Sequence, residues 1–166
     1  MKEYPFLNLS DANKEYLDKI EQAVSGVIRS GRYVGGPECV SFERNLAGYC
    51  GTDYAVGVAN GLDAIRLIFK AYMELGRLKE GDEVIVPANT YIASMLAVTD
   101  CGLVPVLVEP AIESLNIDSK KIEQVVTEKT KAILTVHLYG RVAFDSRMLE
   151  VARKHNLLIV EDMRRQ

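Results

Sequence analysis

No stretch of this 166-residue sequence approaches the roughly 18 consecutive apolar side chains that a membrane-spanning helix needs. The amino-terminal segment carries charges at positions 2, 3, 11, 14, 15, 18, 19 and 21, so it also lacks the apolar core of a secretory signal. The expectation is a cytoplasmic protein that neither spans a membrane nor is exported by such a signal. Basic excess is missing as well. Twenty Lys and Arg face 23 Asp and Glu, for a net charge of −3, and no positive field is available to neutralise a polyphosphate backbone, which speaks against nucleic acid as a partner. Cysteine is scarce and odd in number: Cys39, Cys50 and Cys101 form no close pair and no metal-ligand spacing, which fits a reducing compartment and leaves no candidate metal site. Internal repeats and low-complexity tracts are absent. So are the G-x-x-x-x-G-K-[ST] phosphate loop, the G-x-G-x-x-G dinucleotide turn and the G-x-S-x-G nucleophile elbow.

What is present is an ordinary globular composition, 48% hydrophobic and 26% charged. A domain of this length buries roughly two-thirds of the surface its unfolded chain exposes, so one sizeable core is possible. Ile20, Ala23, Val24, Val27 and Ile28 recur at helical spacing, with Ser10 or Asp11 as a possible cap and Gly31 as a stop. Gly31, Gly35, Gly36 and Pro37 then mark a loop before a second helix that runs to about Tyr49. From residue 53 the pattern changes to short runs rich in Val and Ile: Tyr54 to Ala59, Glu83 to Val86, Val104 to Val108, Ala132 to Val136 and Leu157 to Val160. Helical segments at about 61–75, 90–101, 119–128 and 146–155 separate them, with Gly76 and Gly102 placed as helix stops. Five strands alternating with four helices predict an α/β fold, a mainly parallel sheet with helices on both faces.

In such sheets ligands bind beyond the carboxyl ends of the strands. There the sequence offers Asn60-Gly61-Leu62-Asp63 opening a helix, Asn89-Thr90-Tyr91, His137-Leu138-Tyr139-Gly140-Arg141, and Glu161-Asp162. A helix amino terminus suits a phosphate. Each of these also has a plainer reading: a turn and cap for Asn60-Gly61, packing for Tyr91, a hydrogen-bonded structural side chain for His137, a cap for Asp162. His155, near a helix carboxyl end, suits the dipole there without any chemistry.

Taken in order, Ser30-Gly31-Arg32-Tyr33-Val34-Gly35-Gly36, Tyr54 to Ala64, Val84 to Ser94, Lys129 to Ile133, Val136-His137-Leu138-Tyr139-Gly140 and Ile159-Val160-Glu161-Asp162 resemble the DegT/DnrJ/EryC1/StrS family of pyridoxal-phosphate sugar aminotransferases. The block from Tyr54 to Ser94 is most similar to enzymes that make dTDP-3-amino-3,6-dideoxyhexoses. The resemblance implies the large domain of a fold type I aminotransferase, with pyridoxal 5′-phosphate as cofactor. By position it implies that the backbone N–H groups of Gly61 and Leu62 hold the cofactor phosphate, that Tyr91 stacks on the pyridine ring, and that Asp162 pairs with the protonated ring nitrogen. It further implies a nucleotide-linked keto-deoxysugar as substrate, glutamate as amino donor, and a homodimer.

The same comparison has gaps. Family members continue Glu-Asp-Ala-Ala-Gln, whereas Met163-Arg164-Arg165-Gln166 stands here, and their Schiff-base lysine lies in a later segment of a chain more than twice as long. None of the ten lysines follows a strand at the ligand edge. The organisation expected is thus a helical segment over 1–52 packing on the large domain, a cofactor-binding core over 53–162 and a divergent tail over 163–166. As a truncated piece, the chain is expected to be inactive alone. The alternative is a noncatalytic module that associates with a full-length relative.

Overall fold

The computed structural model describes residue 5 and residues 7–163; of the tail expected over 163–166, only Met163 falls among them. Two units make up the chain, divided between Gly57 and Val58.

The first unit is helical. A short helix α1 (Leu9–Asn13) leads through one 3-10 turn into α2 (Leu17–Ser30), and α3 (Pro37–Cys50) follows. The cap of the first helix is Asn8, not Ser10 or Asp11. Its side chain accepts the Asp11 N–H, and Ser10 and Asp11 lie inside the helix. Gly31 ends α2 at φ 68°, with its N–H bonded to the Ile28 carbonyl. Pro37 opens α3, and a Cβ on Gly36 just before it would lie 2.6 Å from the Arg32 carbonyl oxygen, so the turn tolerates only glycine. Glu43 reaches out of α3 to accept the Gly57 N–H at 2.7 Å.

Residues 54–59 correct the sequence reading. They form no strand and pair with none among the described residues, and Tyr54 and Val56 are exposed. A short apolar run becomes a strand only where a neighbouring edge receives its N–H and C=O groups, a condition the run itself cannot supply.

The second unit runs α4 (Gly61–Glu74), β1 (Glu83–Pro87), α5 (Ile92–Thr99), β2 (Val104–Val108), α6 (Ser119–Ile122), β3 (Thr130–Val136), α7 (Ser146–His155) and β4 (Leu158–Asp162). The strands are all parallel in the order β2-β1-β3-β4. Pro105 is accommodated because β2 is an edge. Alternate residues point to opposite faces. Val84, Val86, Ala132, Leu134, Leu158 and Val160 pack with Ile65 and Phe69 of α4 and with Ala97 and Val98 of α5. Ile85 and Ile133 pack on the other side with Ile122 of α6 and Met148, Val151 and Ala152 of α7. Both faces are covered, as a parallel sheet requires.

Two helices are shorter than their spacing predicts. The segment 119–128 leaves the α-helix after Ile122, passes through a 3-10 turn and is extended at Val126. There the Thr127 and Thr130 hydroxyls and the Glu83 carboxylate bond to one another, and Thr130 Oγ accepts the Thr127 N–H, so side chains take over the role of helical bonding. The helix expected over 90–101 is confined to Ile92–Thr99, with Tyr91 extended in the cap position at ψ 143°.

Candidate functional site at the carboxyl edge of the sheet

Chain order places the first crossover on one side of β1 (to β2) and the next on the other (to β3). At such a switch point the connections leave in opposite directions and open a crevice beyond the carboxyl ends of β1 and β3. A pocket of 790 Å³ lies there, lined by the start of α4 (Asn60, Gly61, Leu62), by Thr90, Tyr91 and Ser94 around the start of α5, by Leu138 and Tyr139 after β3, and by Glu161 and Asp162 at the end of β4.

Helix α4 presents its amino terminus to this pocket. Asn60 Oδ1 accepts the Asp63 N–H at 2.9 Å and the Asn60 carbonyl accepts that of Ala64, so the cap engages neither the Gly61 nor the Leu62 N–H. Asp63 in turn pairs with Arg66, which reaches Asp100 at the end of α5, keeping the Asp63 carboxylate occupied. A Cβ on Gly61 would meet nothing within 4 Å, so the backbone there stands open to an approaching group. These are the features a phosphate requires.

Tyr91 lines the same pocket, half-exposed, where the extended Tyr91 backbone meets the first turn of α5. Asp162, partly buried, closes the opposite side. Its Oδ2 accepts a hydrogen bond from Ser94 Oγ at 3.2 Å, and Ser94 Oγ lies 2.9 Å from Thr90 Oγ1. The Asp162 carbonyl accepts the His137 N–H at 3.0 Å. Helix terminus, aromatic and carboxylate thus line one pocket, whereas the strand-end histidine, His137, is not among its lining residues.

His137 is buried and structural. Its Nδ1 accepts the Ala143 N–H at 2.9 Å, which places the ring proton on Nε2, 2.9 Å from Glu161 Oε2. The ring thereby staples the loop that carries Tyr139 to the end of β4. Tyr139 sits in that loop at φ 55°, an uncommon region for an aromatic residue, and the loop's far side is held by Asn116, whose amide donates to the carbonyls of Arg141 and Val142. His155 lies outside the pocket: with Lys154 it bonds Glu123, and those hydrogen bonds, Lys154 first, hold the Glu123 carboxyl below its ordinary value. Cys101 is buried too, and burial raises its thiol above the ordinary range.

Ser94 and Thr90 are the site residues that sequence reasoning passes over. Their i, i+4 spacing across the start of a helix does place both on one side. A buried serine or threonine, however, carries no distinguishing pattern. Among the described residues no lysine lines the pocket.

The architecture is that of the large domain of fold type I, pyridoxal-phosphate-dependent aminotransferases. DesV from S. venezuelae, solved in complex with a ketimine intermediate, matches 98% of this chain and 43% of its own at 46% identity and a TM-score of 0.89. NtdA from Bacillus subtilis, solved with bound PMP, the amine form of the cofactor, matches 98% and 37% at 33% identity and 0.87. The chain belongs to the DegT/DnrJ/EryC1/StrS aminotransferase family, whose pattern it matches over residues 15–164. It is 51% identical over 158 residues to dTDP-3-amino-3,6-dideoxy-alpha-D-galactopyranose transaminase of Aneurinibacillus thermoaerophilus, covering 95% of this chain and 42% of that enzyme. The chain thus spans about two-fifths of the length of the relatives it matches.

Proposed function

We propose that these residues form the cofactor cradle of an aminotransferase that acts on nucleotide-linked keto-deoxysugars with glutamate as amino donor. The observation that carries the reading is the convergence of the α4 terminus, Tyr91 and Asp162 on one pocket at the switch point. The residues fit the cofactor: the Gly61 and Leu62 N–H groups would hold its phosphate, Tyr91 would lie on its ring, and Asp162 would pair with the ring nitrogen. Pyridoxal phosphate, when bound, supplies an electron sink for the carbon that exchanges its amino group. Asp162 serves that chemistry by keeping a proton on the ring nitrogen. Leu62, Ile65 and Ile68 give the pocket an apolar wall that excludes water from the ring.

Covalent transamination also requires an amine to attack the cofactor carbonyl and to move protons, and the pocket offers none among the described residues. On this reading the 166 residues alone are a binding body that holds the cofactor without turnover. The test uses pyridoxine 5′-phosphate, which has no aldehyde and so cannot react with surface lysines. The purified chain should bind it, and Asp162→Ala should weaken binding about tenfold or more, the scale of a lost charged hydrogen bond. Equal affinity in the variant would refute the site. Transamination of glutamate by the purified chain with pyridoxal phosphate, with a borohydride-trapped lysine adduct, would refute the binding-body reading.

A further inference from the structure

Hydrogen bonds from two different elements reach Asp162. The His137 N–H holds its main chain, and the Ser94 hydroxyl, from the first turn of α5, holds its side chain. As a carboxylate, Asp162 can only accept, so the Ser94 proton lies toward Oδ2. Ser94 has one proton, hence the 2.9 Å contact with Thr90 must be filled by the proton of Thr90. Ser94 is 1% exposed and Thr90 9%, so the bond between the two hydroxyls is shielded from bulk water and the donor side of the Asp162 bond is buried. The result is a directed chain, Thr90 to Ser94 to Asp162, running from the turn before α5 through its first turn to the end of β4.

Resting on the cofactor reading above, we infer that Ser94 is a positioning residue for the ring-pairing carboxylate, and that Thr90 fixes the Ser94 hydroxyl as a donor to it. The Ser94 hydroxyl, itself bonded to Thr90, holds Asp162 in the rotamer from which it would meet a ring nitrogen. Loss of the Ser94 bond would let the carboxylate turn, lengthen that contact and weaken its hold on the ring proton. Backbone placement by His137 does not restrict the Asp162 side-chain torsions, so it cannot substitute.

The probe is 4-deoxypyridoxine 5′-phosphate, which carries phosphate and ring nitrogen but no carbonyl. Its affinity is read by fluorescence, and the pH at which its ring loses the proton by ultraviolet absorbance, both on the full chain. Bound to the unsubstituted chain, the ring should keep its proton to higher pH than in free solution. Ser94→Ala should weaken binding about tenfold, the scale of a hydrogen bond to a charged group, and return the ring titration toward that of the free compound. Thr90→Val should shift both in the same direction by less, and Thr90→Ser, which keeps the hydroxyl, should restore them. Asp162→Asn should abolish the ring shift. If Ser94→Ala and Thr90→Val lower only the unfolding midpoint, leaving affinity and ring titration unchanged while Asp162→Asn loses both, the positioning role is overturned and the cofactor site stands. If the unsubstituted chain does not bind the probe, or Asp162→Asn also changes nothing, site and positioning role fall together.

Discussion

Replacing Asn60 by alanine removes one side chain from the cap of α4 and leaves every other lining group in place, which makes it a sharp test of the helix terminus as a phosphate holder. The bonds lost are the one from the Asp63 N–H to Asn60 Oδ1, at 2.9 Å, and the one from the Asn60 amide to the Asp63 carboxylate, at 2.9 Å. Both are exposed, so water takes over part of what they supplied, and the expected destabilisation is about 1 kcal/mol. Helix α4 itself persists because Ile65 and Phe69 anchor it in the core. In thermal unfolding the loss corresponds to about 3 °C for a chain of this size. The functional consequence is read as a ratio of two affinities, for pyridoxine 5′-phosphate and for pyridoxine, which differ only in the phosphate. Loosening the first turn should lower that ratio about threefold, the scale of a helix-terminus interaction with an anion. Asn60→Asp separates the two effects: it restores the acceptor for the Asp63 N–H, so the midpoint recovers in part against the repulsion from the Asp63 carboxylate, but sets a negative charge beside the phosphate and lowers the ratio further. An unchanged ratio in both variants, with the midpoint of the alanine variant displaced as expected, would refute the assignment of the phosphate to α4.

Phe69 is fully buried between α4 and the sheet, and Phe69→Ala should destabilise the chain by about 3–5 kcal/mol, seen as a fall in the urea midpoint with a preserved slope. Cys39 and Cys50 are exposed and should react with a thiol reagent within the mixing phase, whereas Cys101, buried and with its thiol pushed up by that burial, should react only as fast as the chain opens. Glu123 is held below its ordinary 4.5 by Lys154 and then His155, so its pairing stabilises the fold in full above that pH and is lost as pH falls below it through the depressed value. Acid titrations of the parent chain and of Glu123→Gln should therefore diverge above pH 4.5 and converge below it, and a constant separation down to strong acid would contradict the pairing.

The resemblance carried by ordered motifs held for the family, the parallel sheet and the cofactor class because those properties reside in local runs: Val84 to Pro87 as a strand, Asn60-Gly61 as a helix start, Glu161-Asp162 at a strand end. Where the reading failed, the deciding partner was remote. Tyr54 to Ala59 is a short apolar run of strand length and pairs with no strand among the described residues. Thr127 turns aside from the helical pattern because Glu83, forty-four residues earlier, accepts its hydroxyl proton and Thr130 Oγ1 accepts its N–H. Ser94 acquires its place beside Asp162 across sixty-eight residues, a contact no spacing rule reaches.

The sequence by itself determined the alternation of strand and helix, the two-sided burial of Val84, Ile85, Ala132 and Ile133, and which residues follow each strand, since all depend on side-chain period and on turn chemistry within a few residues. Only the tertiary structure decided the strand order β2-β1-β3-β4, and with it the switch point at which α4, Tyr91 and Asp162 meet. Strand order is set by which apolar faces α4, α5, α6 and α7 can cover together, a competition among distant segments. It also decided that the Asp162 side chain accepts from Ser94 of another element, because a directed hydrogen bond exists only once both ends have been brought within about 3 Å.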